Sequence, residues 1–149
     1  MENSRQLMIG DVYFVHLRGH GNEQRGGRPC VVFQNNIGNK FSPNVIVLPL
    51  TSSIKKIDQP THVFVPSAGT GLRFDSVVLC ENPECVSKDR LGSYITALPD
   101  DIMRKVVEAS LVATSGICYL APDELMLVWA KAVAKNGFSP LHRKEAVNV

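Results

Sequence analysis

Short strand-like segments fill the first two-thirds of this chain, and helical periodicity follows them. The strand-like segments are rich in apolar and β-branched residues and are separated by turn-forming clusters such as 35–39; they lie at residues 11–17, 30–34, 45–50, 62–65 and 77–79. Such short strands at close spacing predict a small, strongly bent sheet or a partly open barrel of the SH3-like kind. Strands that precede helices indicate an α+β fold.

Two helices are predicted in the last third. The first spans 100–115, because Pro99 and two aspartates favour a helix N-terminus, and apolar residues then recur at helical spacing up to Gly116, which is expected to end the helix. The second spans about 122–135, opens on Pro122 and carries Trp129 on its apolar side. The remaining residues, 138–149, are predicted to form a loose tail.

Bulk composition fits one globular domain. The chain has 149 residues, of which 44% are hydrophobic and 20% charged, and its net charge of +2 requires any nucleic-acid surface to be a local patch. It has no apolar run of about 20 residues and no secretory leader, which predicts a cytoplasmic protein. The four cysteines match no zinc spacing, so neither a metal nor another cofactor is predicted.

A glycine-flanked pair of arginines, Arg25 and Arg28, occupies the segment between the first two strand-like segments. Arginine keeps its charge and presents a rigid fork of donors, and glycine lets the backbone approach a phosphate closely. The segment is therefore predicted to be a flexible loop suited to a phosphodiester backbone, with His20 as a further phosphate contact. The alternative is an ordinary solvated hairpin loop.

Cleavage of RNA without a metal requires a base for the 2′-hydroxyl, an acid for the leaving oxygen and stabilisation of the charge that builds up on phosphorus. An arginine supplies the charge stabilisation. Thr51 ends a strand-like segment, where its hydroxyl is a candidate donor to a phosphoryl oxygen, the alternative being a turn residue. Glu23 is a candidate base or a simple ion-pair partner of the arginines.

Three blocks of sequence occur in a characteristic order. They are Gly-Asp-Val-Tyr-Phe-Val-His-Leu at 10–17, Glu-Gln-Arg-Gly-Gly-Arg-Pro at 23–29 and Gln-Asn-Asn-Ile-Gly-Asn-Lys-Phe-Ser-Pro at 34–43. Together with shorter matches up to the first helix, they resemble the MazF/PemK family of toxin endoribonucleases from type II toxin-antitoxin systems. The resemblance covers about residues 10–115.

The resemblance implies a PemK/CcdB-like barrel with a C-terminal helix over 7–116, usually as a homodimer. It implies metal-independent, sequence-selective cleavage of single-stranded RNA that leaves a 2′,3′-cyclic phosphate and a 5′-hydroxyl. It also implies a cognate, MazE-like antitoxin, with operator DNA bound only through the antitoxin complex. By motif position Arg28 and Thr51 match the family's catalytic residues, and Glu23 and Gln24 match loop residues that border its RNA site. Glu23 is kept as the third catalytic candidate, and the RNA-binding candidates are Gln24, Arg25, Asn22, His20 and Asn82.

The sequence departs from the family pattern at several places. Asn22 replaces a usual serine, Asn82 a usual glutamine, and Pro83-Glu84-Cys85 a stretch that often carries an arginine, which is expected to weaken phosphate contact. Residues 117–149 extend beyond the usual length, either as a structural cap on the dimer or as an extra contact for RNA or antitoxin.

Two other readings stay open. One is a CcdB-like toxin that inhibits gyrase without cutting RNA, although the Arg28/Thr51 pair favours the ribonuclease branch and Trp129 does not form the C-terminal ending of the gyrase binders. The other is a degenerate member that binds RNA or antitoxin but has lost activity.

Overall fold

The computed structural model describes residues 5–21, 25–54 and 57–136. These parts contain seven strands and three α-helices, with a 3-10 turn before the last strand and another before the last helix. The strands are β1 (Asp11–Arg18), β2 (Arg25–Val32), β3 (Asn44–Thr51), β4 (His62–Val65), β5 (Ser76–Leu79), β6 (Glu84–Ser87) and β7 (Leu91–Ala97). The helices are α1 (Asn36–Phe41), α2 (Asp100–Thr114) and α3 (Pro122–Asn136).

All the strands join one antiparallel sheet in the order β4-β5-β3-β2-β1-β7, with β6 also paired to β3. β3 is the branch point, because β6 pairs with its first half and β5 pairs with Leu50 and Thr51 at its end. The sheet is open between β4 and β7 in this pairing order. The prediction of an α+β fold with a bent, partly open sheet is confirmed.

The central strands are buried on both faces, so the sheet separates two apolar cores. On one face Val12, Val31 and Leu48 pack with residues of α2, among them Ile102 and Val106. On the other face the core residues come from the alternate positions of the same strands; they include Tyr13, Val15, Cys30, Val32, Val47 and Val86. This arrangement follows from the two-residue period of a strand, since successive side chains point to opposite faces.

The arginine segment differs from its prediction as a flexible loop. Arg25 and Arg28 both lie inside β2, which begins at Arg25 and pairs with β1 along its whole length. Pro29 lies within this strand, but the ladder between β2 and β3 starts only at Cys30, so the missing N–H of proline falls where β2 has no second neighbour. Predicting the start of the strand after proline was therefore wrong by five residues.

Gly27 leaves space on β2 for an aromatic ring from the neighbouring strand. A Cβ atom built on Gly27 would lie 2.5 Å from Cε1 of Phe14, far inside van der Waals contact. The ring of Phe14 on β1 therefore packs over Gly27 on β2. It covers backbone that would otherwise be exposed, because glycine has no side chain. The glycine in the motif here serves packing as well as flexibility.

Three elements were not predicted at all: α1, β6 and β7. The cluster 35–39 was interpreted as a turn, but Asn35 caps a short helix by accepting a hydrogen bond of 2.9 Å from the backbone N–H of Gly38. β6 and β7 are held by pairing with β3 and β1, and β7 pairs through two irregularities of register. These strands depend on partners distant in sequence, which local composition does not indicate.

The two long helices lie close to their predicted positions. α2 ends with Ser115 in the left-handed conformation at φ +53°, so the expectation that Gly116 terminates the helix was wrong by one residue. α3 spans Pro122–Asn136, and none of the side chains described for it, 122–134, is buried. None of the helices in the described ranges combines the length and apolar character that crossing a bilayer requires. The tail predicted at 138–149 lies outside the described residues.

Candidate active site

Strand pairing brings Arg28 and Thr51 to the same place. β2 and β3 pair from Val32↔Val47 to Cys30↔Pro49, and Arg28 and Thr51 each lie two residues beyond this end of the ladder. Residues two apart along a strand point to the same face, so both side chains project from the face of Cys30 and Pro49. The two side chains, 23 positions apart in the chain, therefore meet at one end of the sheet.

Arg28 and Thr51 line a common cleft of about 280 Å³. The floor and walls come from the middle of β2, the end of β3 and the segment that leads into β5. The described residues that line it are Gly27, Arg28, Pro29, Leu50, Thr51, Ser52, Leu72, Arg73, Phe74 and Ser76. Two of these described residues are arginines and none is acidic, so they contribute a local positive charge that favours an anion.

Thr51 is held in place from two directions. Its backbone is in the ladder with Val77 of β5. Its hydroxyl oxygen accepts a hydrogen bond of 3.1 Å from the backbone N–H of Ser53. Since a hydroxyl both donates and accepts, this arrangement leaves the O–H hydrogen to donate to a group in the cleft. The residue is half-buried, which suits a donor that must be fixed and still reach a ligand.

Arg28 is anchored through β1. Its Cα partner there is Val15, a fully buried core residue, and the Arg28 side chain is itself half-buried. A guanidinium fixed this way loses less freedom on binding a phosphate than a fully exposed one, because its backbone and the base of its side chain are already ordered. The geometry can place one permanent positive charge and one hydroxyl donor on the same phosphoryl group.

Glu84, one of the departures from the family pattern, lies on the same face of the sheet. It begins β6 and pairs with Val47, which in turn pairs with Val32 on β2. The pKa of Cys30 on that face is raised to about 12, mainly by burial and also by Glu84, while Arg28 acts in the opposite direction. Glu84 thus places a negative charge near the middle of β2.

Two other residues assigned from the sequence, His20 and Asn82, are not among the described residues that line this cleft. His20 is exposed beyond the end of β1, and Asn82 is half-buried in the turn after β5, where its N–H donates to the carbonyl of Leu79. Arg25 has its backbone in β2 opposite Arg18, but its side chain lies outside the described residues. Asn22, Glu23 and Gln24 also lie outside them.

The structure adds two residues that sequence reasoning missed, Arg73 and Phe74. Phe74 is 59% exposed although it belongs to the cleft, and Arg73 is exposed beside it. The available signal was an aromatic residue next to an arginine in a turn segment between two strands. Without the fold, nothing connects that segment to Arg28.

Comparison with known proteins agrees with this architecture. The PemK-like, MazF-like toxins of type II toxin-antitoxin systems match residues 9–111. Endoribonuclease EndoA of Bacillus subtilis is 48% identical over 101 residues, which cover 67% of this chain and 87% of that protein.

Solved structures give the same result. A mycobacterial endoribonuclease in complex with its cognate antitoxin is 26% identical, with a TM-score of 0.62 over 74% of this chain and 96% of the other. MazF from Deinococcus radiodurans shares the fold at 22% identity, with a TM-score of 0.67 over 75% of this chain and 99% of the other. Since the family match covers residues 9–111 and the identity to EndoA is 48% over 101 residues, the chain belongs to the PemK-like, MazF-like toxin family of type II toxin-antitoxin systems.

Proposed function

We propose that this MazF-like toxin endoribonuclease cuts single-stranded RNA in the cleft formed by Arg28 and Thr51. The observation that carries the proposal is that these two residues lie beyond the same end of the β2–β3 ladder and line one cleft, whose described lining includes two arginines and no acidic residue. Its support from relatives is the naming of EndoA and of the mycobacterial neighbour as endoribonucleases.

The reaction is attack of the substrate's own 2′-hydroxyl on the neighbouring phosphorus, with departure of the 5′ oxygen. The products are a 2′,3′-cyclic phosphate and a 5′-hydroxyl. Arg28 stabilises the additional negative charge on the phosphoryl oxygens, and Thr51 donates a hydrogen bond to one of them. Glu23 takes the proton from the 2′-hydroxyl, or Arg28 assists that transfer, and the protonated group or a solvent water then gives a proton to the departing 5′ oxygen. No metal or other cofactor takes part in this scheme.

The substrate lies across the cleft as an unpaired strand. Single-stranded RNA is recognised by stacking and by contacts with base edges on loops. We assign those contacts to the residues nominated from the sequence, namely Asn22, Gln24, Arg25, His20 and Asn82. Glu84 weakens the hold on phosphate through its charge.

The partners of this chain are proposed from its membership of the toxin family. The mycobacterial neighbour is described in complex with its cognate antitoxin, and we propose that a MazE-like antitoxin likewise inhibits this chain. The protein acts as a homodimer in the cytoplasm and reaches operator DNA only through the antitoxin complex. The catalytic domain spans 7–116, and residues 117–149 form an added cap on the dimer.

The test is cleavage of a long, unstructured RNA by the purified full chain in the presence of EDTA, with the cut ends mapped by primer extension. We expect discrete cuts with 5′-hydroxyl ends, and a loss of about 10²–10³-fold in rate for Arg28→Ala, since that substitution removes a transition-state charge partner. The matched control is Arg104→Ala, which removes an exposed arginine of α2.

Full activity of Arg28→Ala would refute the assignment of the site. An absence of cuts by the folded wild-type protein would refute the enzymatic function, and gyrase inhibition would then separate a CcdB-like toxin from a degenerate member.

A further inference from the structure

An exposed aromatic ring stands at the mouth of the cleft. Phe74 is 59% exposed and is the single aromatic residue among those that line the cleft within the described chain. The guanidinium carbon of its neighbour, Arg73, lies 5.2 Å from the centre of the ring. An aromatic side chain left in water forgoes the free energy of burial, so its position beside two cationic groups calls for an explanation other than packing.

The segment that carries the ring is held by several contacts. The Asp75 carboxylate accepts hydrogen bonds of 2.8 Å from the Ser67 backbone N–H and 2.9 Å from the Ser67 hydroxyl. These two bonds, the backbone one first, hold the pKa of Asp75 below its usual value. The Ser76 hydroxyl donates to the carbonyl oxygen of Phe74, at 2.9 Å, and Leu72 is buried in the core. Phe74 is therefore displayed on an ordered backbone, which lowers the entropic cost of binding a ligand there.

A ring of this kind matches one component of a nucleic-acid strand. Every base has a flat π-face, and stacking on an aromatic side chain is tolerant of sequence. A neighbouring guanidinium adds attraction both to the stacked base and to the phosphate that follows it. Arg28 and Thr51 lie in the same cleft, so a base stacked on Phe74 is close to the phosphate that these two residues are proposed to hold.

We propose that Phe74 and Arg73 form a subsite for one unpaired base of the RNA strand adjacent to the phosphate held by Arg28 and Thr51. Phe74 stacks on the base, and Arg73 contacts the backbone beside it. This inference rests on the proposed function, because it takes that phosphate to be the one that is cut. It identifies two residues that bind the substrate outside the family's motif positions.

The first experiment measures binding, so that it remains informative whatever the cleavage rate. The probe is a fluorescent RNA oligonucleotide with the sequence of the mapped cleavage site and a single 2′-deoxy nucleotide at that site, which prevents cutting. We expect Phe74→Leu to weaken binding about tenfold, since loss of one stacked base is worth roughly 1–3 kcal/mol. Phe74→Trp should retain the affinity. The control, Phe41→Leu, removes another exposed ring, which is 75% exposed on α1, and should leave binding unchanged.

A set of oligonucleotides with one abasic position each locates the stacked base. One abasic position next to the scissile phosphate should lower wild-type affinity and have no further effect on Phe74→Leu. Arg73→Gln should reduce the slope of log affinity against log salt by about 1, as expected for one lost phosphate contact. Equal loss at every abasic position in both proteins, or unchanged affinity of Phe74→Leu, would overturn the proposal.

Two further outcomes distinguish the base subsite from a protein interface and from the proposed cleavage. If Phe74→Leu weakens binding of the cognate antitoxin peptide but not of RNA, the ring belongs to a protein interface and the base subsite is wrong. If the wild-type protein cuts no RNA, the variants are compared on an unstructured RNA oligonucleotide of arbitrary sequence; weaker binding by Phe74→Leu but not by Phe41→Leu then leaves the subsite standing while the proposed function fails.

Discussion

Thr51 and Ser53 are joined by a hydrogen bond in which the Thr51 hydroxyl oxygen accepts the backbone N–H of Ser53, at 3.1 Å. This bond orients the hydroxyl at the end of β3 and leaves its hydrogen available for the cleft. It makes Thr51 a fixed donor beside Arg28, and it predicts how substitutions at the position will behave.

Thr51→Val keeps the size and branching of the side chain but removes the donor and the acceptor. We expect kcat to fall about 10²–10³-fold, the usual effect of losing one preorganised donor to a transition-state oxygen. Thr51→Ser retains the hydroxyl and should keep most of the activity. The measurement is single-turnover cleavage at saturating protein, with the folded state checked by circular dichroism. Comparable activity of the valine and serine variants would show that the hydroxyl has no part in the reaction.

Gly27 allows the Phe14 ring to cross β2, and a side chain there must displace the ring. A Cβ atom at this position would lie 2.5 Å from two ring carbons of Phe14. We expect Gly27→Ala to lower the free energy of unfolding by about 1–3 kcal/mol, as overpacking does. Urea denaturation measures the change, with Gly116→Ala as the control, since a Cβ there would meet its nearest atom at 3.8 Å. Combining Gly27→Ala with Phe14→Leu should cost less than the sum of the two single changes, and strict additivity would argue against the clash.

Ser115 ends α2 in the left-handed conformation, and it is the one described residue other than glycine with a positive φ. That conformation costs an L-residue about 1–2 kcal/mol, and glycine avoids the cost in exchange for greater freedom in the unfolded chain. We therefore expect Ser115→Gly to stabilise the protein by about 0.5–1 kcal/mol and to raise its melting temperature. The matched control is Ala113→Gly, which puts glycine inside the last turn of the helix and should destabilise. Destabilisation by both variants would mean that the Ser115 hydroxyl matters more than its backbone strain.

Cys30 and Cys80 are buried, and burial raises the pKa of their thiols from 9.0 to about 12 and about 11. At a pH between 9.0 and these raised values, the two thiols are deprotonated in the unfolded chain but still protonated in the folded chain. Stability conferred by the buried thiols is therefore complete below about pH 9 and declines as the pH rises towards 11–12. Urea denaturation over this range should show the decline, and it should be shallower in the double variant Cys30→Ala/Cys80→Ala. The exposed Cys85 is the control: Cys85→Ala should leave the slope unchanged.

Some features of this fold are local, and for these the sequence was sufficient. The strand at 62–65 and the starts of both long helices were predicted correctly, because alternation and helix N-terminal signals depend on neighbours within a few residues. Other features depend on a partner strand. β6, β7 and the early start of β2 are held by ladders to β3 and β1, so a composition rich in glycine, proline and charge concealed them.

The sequence by itself determined the family, the α+β order and the nomination of Arg28 and Thr51, since motif order and residue type are preserved along the chain. Only the tertiary structure decided that Arg28 lies in a strand rather than a loop and that it shares a cleft with Thr51 beyond one end of the β2–β3 ladder. It also decided that Arg73 and Phe74 belong to the same cleft. The physical reason is that a site is a meeting of chain segments far apart in sequence, and the antiparallel register that joins them is set by burial of both faces of the sheet.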